Sequence, residues 1–230
     1  MQQKATVTKL SEAQLAKQIQ LPTKPAPVVL TGQYVRLEPL VIARDAQPLF
    51  EVSNGSTITL DNRVVDAYDA DALIWRYMID GPFENIAEFT SSLQAKVNAS
   101  DGLCQCVFDL ATQRQVGIIN FMSNYHLHLK IELGSIWYSP IVQRTYANTE
   151  ATYLMLKHAF DLGYRRLEWK CHAHNERSRK AALKMGFTFE GIQESHMIVK
   201  GCSRDTVWFR MLENEWPEAK AKLEVLLYNK

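Results

Sequence analysis

No charge of one sign dominates this 230-residue chain: 26 basic residues against 25 acidic ones leave a formal net charge of +1. A chain so balanced has no global field to gather nucleic acid or an anionic membrane, and neither partner is expected. Cysteine is scarce as well. The four cysteines, at 104, 106, 171 and 202, show neither CxxC pairing nor the density of a secreted disulfide scaffold. That pattern predicts reduced thiols, a cytoplasmic location and no zinc site. There is no run of 18 apolar residues and no uninterrupted apolar stretch near the N-terminus, so neither a membrane span nor a secretory signal is expected. Arginine is missing from residues 1–27, which also contain Glu12, and this argues against a mitochondrial presequence.

What is present suffices for a substantial core, with 47% hydrophobic and 22% charged positions. Residues 1–27 read as an N-terminal extension with a proline-containing linker, and residues 28–230 as a single domain. In the extension, Ser11 and Gln14 have capping-box spacing, and Leu10, Ala13 and Ala16 recur at helical spacing. The helix packs either on its own domain or on a second subunit in a homodimer. The segment 21–29 is extended and stiffened by proline.

Along the domain, 34–40 alternates as a strand, and 43–52 reads as a helix interrupted in pattern by Pro48. Two helices are expected over 69–78 and 84–97, separated by Gly81-Pro82. Trp75, Tyr77 and Phe83 either line a pocket or belong to the core. A hairpin follows, with strands 103–110 and 116–125 and a turn at 111–115.

The stretch 130–163 reads as strand, turn and helix. Leu127, Leu129, Ile131 and Leu133 share one face of an extended segment, with His128, Lys130 and Glu132 on the other. After Gly134 the apolar phase shifts to Ile136 and Tyr138, so one residue must be absorbed near Gly134-Ser135, as in a β-bulge. Pro140 ends the strand. The next helix is capped by Asn148 or Thr149 and closed by Gly163. Its N-terminus aims unpaired N–H groups at the loop above it, a setting suited to phosphate. A strand over 166–173 then runs parallel to the bulged one by a right-handed crossover, and the two splay into a cleft. Asn175 caps a helix that ends at Gly186. Strands at 187–192, 197–199 and 206–212, with a turn at 200–205, precede a terminal helix with Pro217 in its first turn.

The succession of IELGSIWYSP, QRTYANTEA, NERSRKAALKMGFTFEG and RDTVWFRML resembles the GNAT superfamily of acyl-CoA-dependent N-acetyltransferases. Its branch of ribosomal-protein N-terminal acetyltransferases is the most similar. The resemblance runs from Tyr34 to Trp216. It implies an α/β (α+β) fold with a mixed, mostly antiparallel central sheet, a splayed parallel strand pair and helices on both faces. It further implies acetyl-CoA as co-substrate, with no metal, and an amine acceptor. The backbone of Ile136, Trp137, Tyr138 and Ser139 would pair with pantetheine. Gln143, Arg144, Thr145, Tyr146, Ala147, Asn148 and Thr149 would cradle the pyrophosphate. Asn175 matches a pantetheine-bonding asparagine, and Arg179, with Arg177 and Lys180, either meets nucleotide phosphate or forms a solvated helix face. The family's loop usually carries two glycines where this chain has Tyr146 and Asn148. Tyr146 in a left-handed conformation would be strained. Many members also place a tyrosine acid where this chain has Ala182, and Ser178 becomes the candidate in its stead.

The chemistry asks for a base. Deprotonating an α-amine of pKa about 8 costs about 1.4 kcal/mol at pH 7, against about 4.6 kcal/mol for a lysine near 10.4. Glu132 matches the strand-borne glutamate that family members use as base, and Glu168 on the next strand is the alternative. Glu168, Trp75 and Tyr77 are the acceptor-side candidates. The histidine pairs His126/His128 and His172/His174 lack a third ligand and are read as structural. Acetyl transfer to a peptide or protein N-terminus or a small amine is the expected activity. A non-catalytic acyl-CoA-binding regulatory protein is the alternative, and a protein-binding module using the extension a third.

Overall fold

The computed structural model describes residues 9–61 and 63–229. Its helices are α1 (Glu12–Gln20), α2 (Ile42–Glu51), α3 (Ile86–Asn98), α4 (Ala147–Leu162), α5 (Glu176–Lys184) and α6 (Trp216–Tyr228). Its strands are β1 (Leu30–Thr31), β2 (Val35–Pro39), β3 (Ile58–Thr59), β4 (Val64–Val65), β5 (Leu103–Asp109), β6 (Arg114–Tyr125), β7 (Lys130–Tyr138), β8 (Arg166–His172), β9 (Thr188–Val199) and β10 (Cys202–Leu212). Eight strands form one sheet in the order β1-β2-β5-β6-β7-β8-β10-β9, and β3 and β4 make a separate hairpin. Every neighbouring pair in the large sheet is antiparallel except β7 and β8.

Alternation along the central strands divides the core between the two faces of the sheet. Leu103 and Val107 of β5 join Ile131, Leu133, Met155, Leu156 and Leu223, the cluster that α4 and α6 complete. Cys104, Cys106 and Phe108 join Leu49, Phe89, Leu93 and Trp137, the cluster over which α2 and α3 pack. Burying each large apolar side chain contributes roughly 1.5–3 kcal/mol, so both helical layers are held chiefly by their apolar faces.

The extension folds back on its own domain. The Ser11–Gln14 capping box starts α1, Leu21 is buried, and Asn124 Nδ2 donates to the carbonyls of Pro22 and Thr23 at 2.9 and 2.8 Å. Of the helix expected within residues 1–20, residues 1–8 lie outside the described residues.

Several expected boundaries differ. Residues 126–128 form a 3₁₀ turn and Leu129 is left-handed (φ 52°), so the strand starts at Lys130 and Leu127 is exposed. His126 and His128 therefore sit on a turn, not on one strand face. The helix expected over 69–78 contracts to one π turn, Asp71–Trp75. Residues 188–199 form one strand, because β10 begins at Cys202 and pairs along it, leaving only Lys200 and Gly201, both at positive φ, as the turn. Pro48 lies inside α2 without ending it.

Glu150 ties three parts of the chain together. Its side chain is fully buried and accepts the backbone N–H groups of Gln33, Tyr34 and Val35 at 2.8, 2.7 and 2.8 Å and the hydroxyl of Tyr228 at 2.9 Å. Gly32 makes room for it: a Cβ there would lie 2.3 Å from the Glu150 carboxyl carbon. Glu150→Ala would leave buried donors without an acceptor at roughly 1–3 kcal/mol each. We expect that variant to lose about 3 kcal/mol or more, measured by urea unfolding; a loss under about 1 kcal/mol would show that water replaces the carboxylate.

Candidate active site

The parallel pairing of β7 with β8 runs through Lys130↔Arg166, Ile131↔Leu167 and Glu132↔Glu168 and stops there. On its other side β7 departs from regular pairing as well. Ile118 faces Trp137 and Asn120 faces Gly134, so two steps along β6 match three along β7. The extra residue falls at 135–136, and Ser135 carries the strained backbone (φ 49°). Asn120 Nδ2 pins the distortion by donating to Ser135 O at 2.8 Å. From Leu133 onward, the β7 edge that turned toward β8 has no strand partner, which leaves main-chain groups for a ligand.

A cavity of about 540 Å³ opens at this divergence, walled by Glu132 to Ile136 of β7, Trp169 to Cys171 of β8, Asn175, Ser178, Tyr77 and Arg204. Glu132 is 3% exposed, and Lys170 Nζ lies 2.7 Å from its Oε2. Burial pushes the Glu132 carboxyl above the ordinary carboxylate range, with Lys170 and the Ser123 hydroxyl pulling it back down. Gly134 leaves space for this carboxylate, since a Cβ there would stand 3.0 Å from Glu132 Oε1 and 2.8 Å from Met122 Sδ. Lys170 is itself held 4.6 Å over the Trp208 ring.

Ser178 lies on the opposite wall. Its amide donates to Asn175 Oδ1 at 3.1 Å, the helix cap expected at Asn175, and its hydroxyl oxygen accepts Trp169 Nε1–H at 3.0 Å. That bond uses a lone pair and leaves the hydroxyl proton for another acceptor. Arg179 donates to Ala173 O at 3.3 Å. Arg177 donates to Ala72 O at 2.8 Å, and Lys180 pairs with Glu176 at 3.2 Å.

Glu168 faces a different environment. Arg166 Nε is 2.8 Å and Lys130 Nζ 3.2 Å from its carboxylate, and it does not line the cavity. Trp75 is also away from the cavity. It is 2% exposed, donates to Ser53 O at 2.9 Å and packs 5.2 Å from Trp137, so it is a core residue, whereas Tyr77 does reach the wall. Trp137 is likewise a core side chain. The Tyr138 hydroxyl is buried, and burial pushes its pKa well above the ordinary value. Ser139 N–H is spent on Val116 O at 2.7 Å, and its hydroxyl accepts Ile141 N–H at 3.3 Å, so Ser139 serves the turn after the strand.

The loop beyond β7 is built differently from the expected glycine loop. Its left-handed residue is Arg144 (φ 64°), while Tyr146 is right-handed (φ −79°), stacks 5.1 Å from Tyr34 and opens α4. The helix thus starts at Ala147, not after Asn148 or Thr149. Its N-cap residue is Tyr146, which makes no side-chain cap bond, while Thr145 Oγ1 accepts the Ala147 N–H at 3.2 Å. Helix geometry leaves the Asn148 and Thr149 N–H groups without intrahelical acceptors. Gln143 and Thr145 N–H groups are taken by Pro140 O and Val142 O.

The family model of the acetyltransferase (GNAT) domain matches residues 35–188. This chain belongs to the GNAT acetyltransferase family. A GCN5-related N-acetyltransferase from Brucella melitensis is 37% identical, over 90% of this chain and 87% of that one, with a TM-score of 0.81. A probable GNAT-family acetyltransferase from Chromobacterium violaceum is 32% identical, over 94% and 100%, with a TM-score of 0.79. A ribosomal-protein-serine acetyltransferase structure from Vibrio cholerae, 21% identical over 80% and 97% with a TM-score of 0.62, shares the fold. No curated protein matches the chain. The GNAT assignment makes the chain an acyltransferase, and the mixed sheet with one parallel pair agrees with that fold. Among the described residues, no helix is long and apolar enough to cross a membrane, and no three metal-ligating side chains cluster.

Sequence reasoning missed Trp169, Lys170 and Arg204. The signal for Lys170 was present in Arg166, Glu168, Lys170 and His172, which put four polar side chains on one face of a central strand. Lys170→Met should raise the Glu132 pKa further, because it removes a cation that lowers it. Carbon-13 titration of the glutamate carboxyls reads this directly; an unmoved or lowered Glu132 would show that the ion pair does not tune the carboxylate.

Proposed function

We propose that this GNAT protein moves an acetyl group from acetyl-CoA to a primary amine, on a peptide or protein N-terminus or a small molecule, by direct attack in a ternary complex. The observation that carries the reading is the buried Glu132 carboxylate at the point where β7 and β8 part. The unpaired β7 edge around Ile136 to Tyr138 would hold the pantetheine arm together with Asn175. The helix start at Asn148 and Thr149, with Arg144 and Arg179, would meet phosphate. The bound thioester supplies an activated acetyl group.

Glu132 takes the proton of the incoming ammonium, directly or through a water, and its raised pKa narrows the gap to the amine. The new C–N bond forms as the C–S bond breaks. A backbone N–H near the bulge stabilises the carbonyl oxygen as charge develops on it. Ser178, its oxygen held by Trp169 N–H, gives a proton to the departing sulfur and recovers one from solvent. The nitrogen sheds a second proton to solvent as the amide forms, matching the one Ser178 recovers, so the products are an amide and a thiol with the ammonium proton held at Glu132. Cys171 lines the cavity, but burial pushes its thiol pKa up, so it offers little thiolate as a competing nucleophile.

Thiol release from acetyl-CoA across an amine panel tests the reading. Glu132→Gln should lower kcat/KM by about 10²–10⁴. In the parent protein the rate should rise with pH as Glu132 loses its proton, with the rising limb above the ordinary carboxylate range because its pKa is raised. The variant should lack that limb. Full activity of Glu132→Gln at low pH would remove it as base. Binding of acetyl-CoA without any amine raising thiol release above hydrolysis would overturn the transferase reading.

Ser178→Ala should reduce kcat more than it changes the acetyl-CoA Kd, by about tenfold or more in kcat. Equal kcat in the two proteins would return Ser178 to a capping role alone.

A further inference from the structure

Arg204 lines the cavity, and neither the fold nor the proposed chemistry uses it. It belongs to the tip of the β9–β10 hairpin, where the register changes from Arg204↔Met197 to Thr206↔Gln193, two steps on β10 against four on β9. Asp205 takes the Ser195 N–H across this irregularity at 2.7 Å. Its neighbours Cys202 and Ser203 are exposed, yet Arg204 is only 7% exposed and lines the cavity beside Thr206. Its Nε is buried without an acceptor, and among the described residues no carboxylate stands within ion-pair distance of its guanidinium. Of the carboxylates that line the same cavity, Glu132 is paired with Lys170 at 2.7 Å and Asp80 with Lys96, and Glu132 reaches Arg204 only as a longer-range charge.

A buried guanidinium without a countercharge is costly unless an anion completes it, and its planar fork fits a carboxylate through two parallel N–H···O bonds. The anion would reside at the reacting end of the cleft, because the same cavity holds Glu132 and Ser178 and none of residues 143–149. An anionic group there travels with the acceptor and not with the phosphates of the donor.

We propose that Arg204 is a specificity residue that binds a carboxylate on the acceptor, so the preferred substrate is an amine carrying a carboxylate within the span of this cavity. This rests on the acyl-transfer reading above. Free amino acids carry such a group at the α-carboxyl, and peptides with an acidic first residue carry it on a side chain.

The test compares alanine, methionine and phenylalanine with their carboxamides, and the peptide amide Asp-Ala-Ala with Asn-Ala-Ala. Thiol release gives kcat/KM, and the thermal midpoint with acetyl-CoA present gives binding whether or not turnover occurs. The parent protein should prefer the carboxylate member of at least one pair by tenfold or more, and that member alone should raise Tm. Arg204→Gln should bring the ratio within about threefold of unity, and Arg204→Lys should restore part of it. Preference among the amino acids identifies the α-carboxyl as the source, and preference confined to the peptide pair identifies the side chain. Equal rates and equal Tm shifts across every pair in the parent protein overturn the proposal, even if acetyl transfer itself is robust. A carboxylate-specific Tm shift without turnover supports the Arg204 site while the transferase reading fails. Should Arg204→Gln not fold, the parent ratios and the Arg204→Lys ratio still decide.

Discussion

Between Gly134 and Trp137, β7 carries one residue more than the part of β6 that it faces, and immediately before this point its parallel pairing with β8 ends at Glu132↔Glu168. Much of the site depends on that local mismatch. A strand that kept register on both sides would spend its N–H and C=O groups on neighbours and bury its side chains against them. Here one edge of β7 is released, the cavity opens beside it, and Glu132 sits at the last paired position. The irregularity is held by Asn120 across β6 and by the absence of a side chain at Gly134, where any Cβ would meet the Glu132 carboxylate.

The two glutamates at that last pair have the same charge and nearly the same burial, and their surroundings separate them. Glu168 is held by Arg166 and Lys130 on the paired side of the divergence. Glu132 is ion-paired with Lys170, on the open side, and burial outweighs that cation in setting the direction of its pKa. One carboxylate is thereby a strut between strands, and the other is a titratable group facing a cavity.

Glu150 does comparable work behind the sheet. By accepting three consecutive main-chain N–H groups and the Tyr228 hydroxyl, it fixes the start of α4 relative to the entry into β2 and the end of α6. In the loop before α4 the left-handed residue is Arg144, while Tyr146 takes an ordinary helical conformation against Tyr34. The left-handed residue thus falls two positions before Tyr146.

Periodicity and turn chemistry determined, from the sequence alone, the strand-bulge-strand-helix order, the phase change at Gly134-Ser135, the stops at Gly163 and Gly186 and the Ser11 and Asn175 caps. These are local: each follows from a few adjacent residues and from the steric preferences of glycine, proline and capping side chains. The four sequence blocks also carried the family resemblance. Tertiary structure decided what no local pattern encodes. It sent Trp75 into the core and Tyr77 to the cavity, gave Lys170 to Glu132 and two cations to Glu168, and left Arg204 buried without a counterion. Such assignments depend on which strands become neighbours and where their pairing stops, contacts between residues far apart in the chain, as Glu132 is from Lys170 and Trp75 from Trp137, that a one-dimensional pattern does not hold.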